Sequence, residues 1–392
     1  MVSRGAYCRM SFPRQVTFDA TTPQPAKFLA RLLLHALNHG MPASRRGGRA
    51  VAVLGRRDLP ADPLARGLRA LPRRRSPHLD DLMEQVAAWW PELTQRARHL
   101  PTSAPRLSAL EMDRSAARTV FVFGPGDFPL LVIKTPHEGH SGPWREARAL
   151  QIAAESRIAP AFLGQFGGAL VQEGLPGMPL RLRAVTSTNA AHCPWPLEYD
   201  FLVSALQRLA QSSVRRHAGN EQLMTAIKAA QQYDLPARYQ RLLSAASRDL
   251  STLKLEVLQH RDLSAQNWLV DSKQQLVGVV DWEMCQVEGT PGFDAMHAAV
   301  SNFEHGIGLA RWSEQNVLLS FRRAWSSAPL FSGGRNALKE TARAAGVREA
   351  LLEPLELGFF ARRLGRRLFG QSRNTLLSPR SLSEMLTIVC DS

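Results

Sequence analysis

His260-Arg261-Asp262-Leu263-Ser264-Ala265-Gln266-Asn267, followed by Val279-Val280-Asp281-Trp282-Glu283, is the stretch on which the reading of this chain turns. His-x-Asp-x4-Asn puts a carboxylate and an amide on one tight loop. Asp281 follows a short interval later and closes an apolar run. The runs Trp268–Val270 and Gln275–Val280, split by the turn Asp271-Ser272-Lys273, read as two short strands that bring Asp281 back beside the loop. Phosphoryl transfer needs such a set. One carboxylate orients the attacking hydroxyl and accepts its proton, while an amide oxygen and a second carboxylate hold Mg²⁺ against the phosphates. The plain alternative is a helix-capping Asp262 and a turn Asn267.

A lysine decides against that alternative. Of 49 basic residues only six are lysine, and one of them, Lys134, ends the apolar run Val132-Ile133-Lys134. A helical segment, WREARALQIAAE, follows it and carries Glu146. A lysine at a strand end, paired with a helix glutamate, is the arrangement that positions nucleotide phosphates. Glu155 lies further along the same segment, on the opposite face of that helix from Glu146.

The surrounding texture gives the architecture. RTVFVF and FPLLVIK flank Gly124-Pro125-Gly126-Asp127, a hairpin signal. Gly168–Glu173 reads as another strand. Residues 79–100 have helical spacing, with Leu82, Val86 and Trp89 on one face, and 195–250 is helical too. Residues 294–392 read as helices with a break at Ser332-Gly333-Gly334. The expectation is an α+β chain: a basic extension over 1–78, a small antiparallel β lobe with one helix over 79–174, and a larger, mainly helical lobe over 175–392.

VLQHRDLSAQNWLVDSKQQLVGVVDWEMCQVEGTPGFDAMHAAV resembles the catalytic core of the aminoglycoside phosphotransferase and choline kinase family. REARALQIAAESRIAPAFLGQFGGALVQEGLPGMPL is similar to the same family's helix, turn and hinge strand. The resemblance covers about residues 110–300. It implies a two-lobed, protein-kinase-like fold with ATP or GTP in the cleft and Mg²⁺ as cofactor. By position, Asp262 would be the catalytic base and Asn267 and Asp281 the metal ligands. Lys134, paired with Glu146, would contact the phosphates. Gln172, Glu173, Gly174 and Leu175 would offer backbone groups to the base. His260, Glu283 and Asp294 would support the loop and the metal site.

The chain departs from the pattern in two places. No G-x-G-x-x-G precedes Lys134, so the phosphate-covering loop falls around Asp113–Arg118, with Ser115 as its hydroxyl donor. Arg261 stands where the family more often has glycine and protein kinases have arginine. A protein kinase is therefore one alternative. The stretch between Asp281 and Asp294 is too short for an activation loop, which favours a small-molecule hydroxyl as acceptor. A catalytically inactive nucleotide-binding module is the other alternative, against which the intact Lys134, Asp262, Asn267 and Asp281 speak.

Charge narrows the partners. The formal net charge is +15, of which residues 1–100 hold +10. The arginine clusters there lack interleaved aromatics, which argues against nucleic-acid recognition. Residues 182–258 carry nine Lys/Arg and six Asp/Glu, which counts against a cationic acceptor and suits a neutral sugar, a glycolipid or an anionic metabolite. Leu357, Phe360, Leu364 and Leu368 form a stripe between Arg362, Arg363, Arg366 and Arg367. Such a helix either packs with a solvated basic face or touches an anionic membrane surface. The four cysteines are far apart, and no apolar run is long enough for a membrane-spanning helix, so a reducing, cytoplasmic setting is expected.

Overall fold

The computed structural model describes residues 77–105, 107–113, 117–126, 128–180, 195, 197–216, 220–306, 313–368 and 377–391. Residues 1–76 of the basic extension, and Ser115, lie outside that set.

The first part of the fold is a five-stranded antiparallel sheet in the order β1-β2-β3-β5-β4. Its strands are β1 (Ser108–Asp113), β2 (Ala117–Phe123), β3 (Pro129–Pro136), β4 (Phe162–Phe166) and β5 (Ala169–Glu173). The helix ahead of it, α1 (Pro77–Arg96), buries Leu82, Val86, Trp90 and Leu93 in one cluster with Val120, Val122, Leu131, Ile133 and Val171. Trp90, not Trp89, takes the inward position; Trp89 stacks on Phe166 at 4.9 Å. Helix α2 (Gly142–Ala153) follows β3, and its Ala147, Leu150 and Ala153 join the core of the second part.

That second part is mainly helical: α3 (Leu197–Ser213), α4 (Glu221–Gln231), α5 (Ala237–Leu250), α6 (Phe293–Gly306), α7 (Glu314–Ser327), α8 (Pro329–Ala344), α9 (Leu352–Leu368) and α10 (Pro379–Cys390). Two small antiparallel sheets sit among them. One pairs β9 (Trp268–Val270) with β10 (Leu276–Val279) and with β6 (Met178–Pro179). The other pairs β8 (Leu255–Gln259) with β11 (Gln286–Gly289) and with β7 (Arg215–Arg216). The two parts are tied where they meet, since Val279 N–H donates to Ile158 O at 2.7 Å.

The anticipated break at Ser332-Gly333-Gly334 does not occur. Helix α8 runs through it, because both glycines are points of close approach. A Cβ on Gly333 would lie 2.4 Å from the Trp195 ring, and one on Gly334 would lie 2.6 Å from Ala299 Cβ. The helical breaks fall instead at Ala328, whose extended backbone precedes Pro329, and after Ala344. Most of the stripe on α9 faces the protein interior: Phe360 and Leu364 are buried and Leu357 packs against the core, while Leu368 at the helix end is exposed. No helix among the described residues is long and apolar enough to cross a membrane.

Candidate active site

Lys134 sits on β3 opposite Thr119 of β2 and Leu170 of β5, so its backbone is held from both sides. Its Nζ donates to both oxygens of Glu146 on α2, at 2.8 and 2.7 Å. The same Nζ lies 3.6 Å from Asp281 Oδ1. Burial alone would lower the Lys134 ammonium. The carboxylates of Glu146 and Asp281, with Glu283, outweigh that, and its pKa is raised. Glu155 lies beyond the end of α2 and takes no part in the pair.

The loop after β8 is over-determined by hydrogen bonds. Asp294, buried at the start of α6, accepts from the backbone N–H of His260 at 2.6 Å and of Arg261 at 3.0 Å. Burial pushes that carboxyl up, against the pull of these bonds. The His260 ring is fully buried. Its Nδ1 accepts from Asp262 N–H at 3.2 Å, so Nε2 carries the proton it gives to Val280 O at 2.9 Å. Both ring nitrogens are thereby committed to backbone groups of the loop and of the strand end before Asp281. Arg261 has φ +68°, a conformation glycine takes freely and other residues only at a cost of about 1 kcal/mol or more. That backbone demand gives the physical reason a glycine suits this position.

Asn267 closes the loop from the other side. Its Nδ2 donates to Asp262 O at 2.8 Å and to Asp262 Oδ2 at 3.2 Å, which leaves Oδ1 as an acceptor. Val280 N–H donates to Asn267 O at 2.9 Å, so the strand leading to Asp281 is pinned to the same residue. Asp281 itself is left-handed (φ +69°), and Trp282, buried behind it, donates to Val279 O at 2.8 Å. Glu283 lies in the following turn near the start of α2, where its Cβ is 3.8 Å from the place a Gly142 Cβ would take. Burial pushes the neighbouring Cys285 thiol up to about 11, which keeps it protonated.

The hinge from β5 is also specified. Glu173 N–H donates to Ala161 O and Gly174 N–H to Leu130 O, at 2.9 and 2.8 Å. A Cβ on Gly174 would sit 1.9 Å from Pro129 O, so only glycine fits. The Glu173 carboxylate turns away to accept from the N–H groups of Arg98 and His99. Gln172 is buried on the strand.

The structure therefore gathers Lys134, Glu146, Asp281, Asp262, Asn267, His260 and Asp294 into one connected set. Gln172–Leu175 form the link between the two parts of the fold, with Leu175 followed by β6. Sequence reasoning missed Asn302 on α6, whose Oδ1 accepts from Ala265 N–H at 2.9 Å and steadies the loop. It also missed the Arg98–His99 amides that capture Glu173. Neither carries a local signal, because each partner is far away in the chain.

Residues 113–331, over half of the chain, match the phosphotransferase enzyme family. The chain belongs to that family. It is a phosphotransferase of α+β fold, with a small antiparallel sheet followed by a mainly helical part. Similar solved structures include a macrolide 2′-phosphotransferase from Brachybacterium faecium, at 15% identity over 71% of this chain and 91% of that one, TM-score 0.39. A putative fructosamine-3-kinase from Thermobifida fusca is also 15% identical, over 78% of this chain and 99% of that one, TM-score 0.42. A choline kinase from Streptococcus pneumoniae is 11% identical, over 80% and 100%, TM-score 0.37. No curated protein matches the sequence.

Proposed function

We propose that this phosphotransferase moves the γ-phosphate of ATP or GTP, with Mg²⁺, to a hydroxyl of a small molecule. The observation that carries this reading is the contact of one buried lysine, Lys134, with Glu146 and with Asp281, the residue that follows the strand pinned to Asn267. Lys134 holds the nucleotide's phosphates, and Glu146 fixes it there. Asp262 orients the acceptor hydroxyl and takes its proton. The hinge N–H groups of Glu173 and Gly174 are already bonded and the Leu175 carbonyl accepts from Gly177, so the Leu175 N–H is the hinge donor left for the base. Residues 79–174 serve as the nucleotide lobe and 175–392 as the catalytic and acceptor lobe.

The residues present fit Mg²⁺. It prefers oxygen donors and is held by one or two protein groups together with phosphates and water. Asn267 offers Oδ1 because its Nδ2 is spent on Asp262, and Asp281 offers a carboxylate that is a quarter exposed. No cluster of three or more His, Cys, Asp or Glu suited to a metal occurs among the described residues. When bound, the cation neutralises charge on the transferring phosphate.

The test is a panel of sugars, amino alcohols, antibiotics and other hydroxylated metabolites incubated with MgATP or MgGTP and read for the mass of an added phosphate. A product that Asp262→Ala abolishes is the expected result. Absence of any thermal shift with MgATP or MgGTP in the wild type sinks the reading.

A further inference from the structure

Three arginines lie around the catalytic loop with one buried carboxylate, Asp294, among them. Arg362, on α9, is almost fully buried, and it donates to two neutral amides: Gln259 Oε1 at 3.1 Å and Gln286 Oε1 at 2.9 Å. Its guanidinium also lies over the Phe293 ring, 5.5 Å from the centroid. Arg366 is one helical turn further along α9, on the same face. Arg261, the residue before Asp262, has an enclosed Nε with no hydrogen-bond partner.

Arg362 feels the charges of Arg366 and Arg261, Arg366 feels that of Arg261, and Arg261 feels that of Arg145. Burial, then the charges of Arg366 and Arg261, push Arg362 down to about 9 against the opposing pull of Asp294. Burial, then Arg261, pushes Arg366 down to about 10. Asp294 is the carboxylate nearby; its charge favours the Arg261 and Arg362 cations while its oxygens accept from the His260 and Arg261 amides, and one carboxylate does not balance three arginines. Glu304 is paired with Arg363. Among the described residues, no carboxylate makes an ion pair with Arg261, Arg362 or Arg366. Repulsion of this kind, next to a reacting group, is relieved by an anion. Guanidinium groups match the oxygens of phosphate and carboxylate.

We propose that Arg261, Arg362 and Arg366 form an anion site that grips a phosphate or carboxylate group on the acceptor. The proposal rests on the phosphotransferase reading and narrows it: the acceptor is an anionic hydroxylated metabolite, whose charged group is held beside Asp262 while its hydroxyl meets that carboxylate.

The first arm of the test measures binding of inorganic phosphate, at constant ionic strength and with the nucleotide site filled by MgADP. Arg366→Gln and Arg261→Gly are compared with wild type. Glycine suits φ +68°, so Arg261→Gly removes the cation without breaking the loop. Both variants are expected to weaken phosphate binding at least tenfold. Arg380→Gln, an exposed control on α10, is expected to leave it unchanged. Equal affinity in all the proteins overturns the site.

The second arm offers MgATP with acceptors matched in pairs, a polyol against its phosphate monoester and a sugar against its sugar acid. The anionic member is expected to be the better substrate by tenfold or more in kcat/KM, with the advantage lost in Arg366→Gln. Faster turnover of the neutral members overturns the proposal and leaves the phosphotransferase standing. Phosphate binding that depends on Arg366, in a protein that binds no MgATP, removes the phosphotransferase reading instead and leaves the anion site.

Discussion

Asn267 Nδ2 donates to the Asp262 carboxylate at 3.2 Å and to the Asp262 carbonyl at 2.8 Å, so one amide both orients that carboxylate and sets the geometry of its loop. Side chains that share such a bond divide the work according to what each one loses. Asp262→Asn keeps an oxygen that can accept from Asn267 but loses the base. Its kcat is expected to fall by about 10²–10⁴ with nucleotide affinity nearly unchanged. Asn267→Ala is expected to lower kcat and also raise the Mg²⁺ concentration needed for half-maximal rate. Metal titrations at fixed ATP separate the two. A raised metal requirement in Asp262→Asn but not in Asn267→Ala would reverse the assignment.

The Lys134–Glu146 pair makes a prediction about stability as well as rate. Glu146 is fully buried and Lys134 nearly so. Removing the lysine alone strands a carboxylate in the interior, so Lys134→Met is expected to cost about 3–5 kcal/mol in urea unfolding. Lys134→Met combined with Glu146→Leu removes both charges and is expected to regain most of that loss while remaining inactive. A double variant no more stable than Lys134→Met would show that the pair does not set the cost.

The parts of the site that were legible in the sequence are those fixed by short-range geometry. Asp262 and Asn267 share one loop, and Asp281 is carried back by two strands and a turn, so spacing alone locates them. Lys134 was legible because lysine is scarce. Strand β8 was not, since four of its five residues are buried and it shows no alternation. Strand β4 is short and is interrupted by Gly164 at φ +145°. The Arg362–Gln259 bond spans 103 residues, and the Asn302–Ala265 bond spans 37, distances across which sequence periodicity carries no information.

The glycine pair in α8 misleads because glycine ordinarily signals a break, and its role here is tertiary. An alanine in a helix interior is usually worth about 1 kcal/mol over glycine. At Gly333 that gain is reversed, because the added Cβ lies 2.4 Å from the Trp195 ring. Gly333→Ala is expected to be destabilising by about 1–3 kcal/mol, the usual cost of overpacking. Coupling it to Trp195→Leu is expected to recover part of the loss. Thermal unfolding of the two single variants and the double variant checks this, and a stabilised Gly333→Ala would contradict the packing.

His297 on α6 makes the fold sensitive to acid. Its Nδ1 is enclosed and has no hydrogen-bond partner. Burial, then the charges of Arg363, Arg362 and Arg261, push the imidazole down from 6.5 to about 3. The neutral form is therefore the one the folded state accepts. As pH falls below 6.5, the unfolded chain takes up a proton that the folded chain refuses, and stability declines. Between pH 7 and pH 5 this one group removes about 2 kcal/mol. The figure depends little on the exact folded value, since the whole window lies well above 3. His297→Gln lacks the titration, so its stability is expected to fall less than that of the wild type over the same range, the difference being about 2 kcal/mol. Urea unfolding of both proteins at pH 7, 6 and 5 measures the difference. Parallel pH profiles would mean that His297 takes up its proton in the folded state.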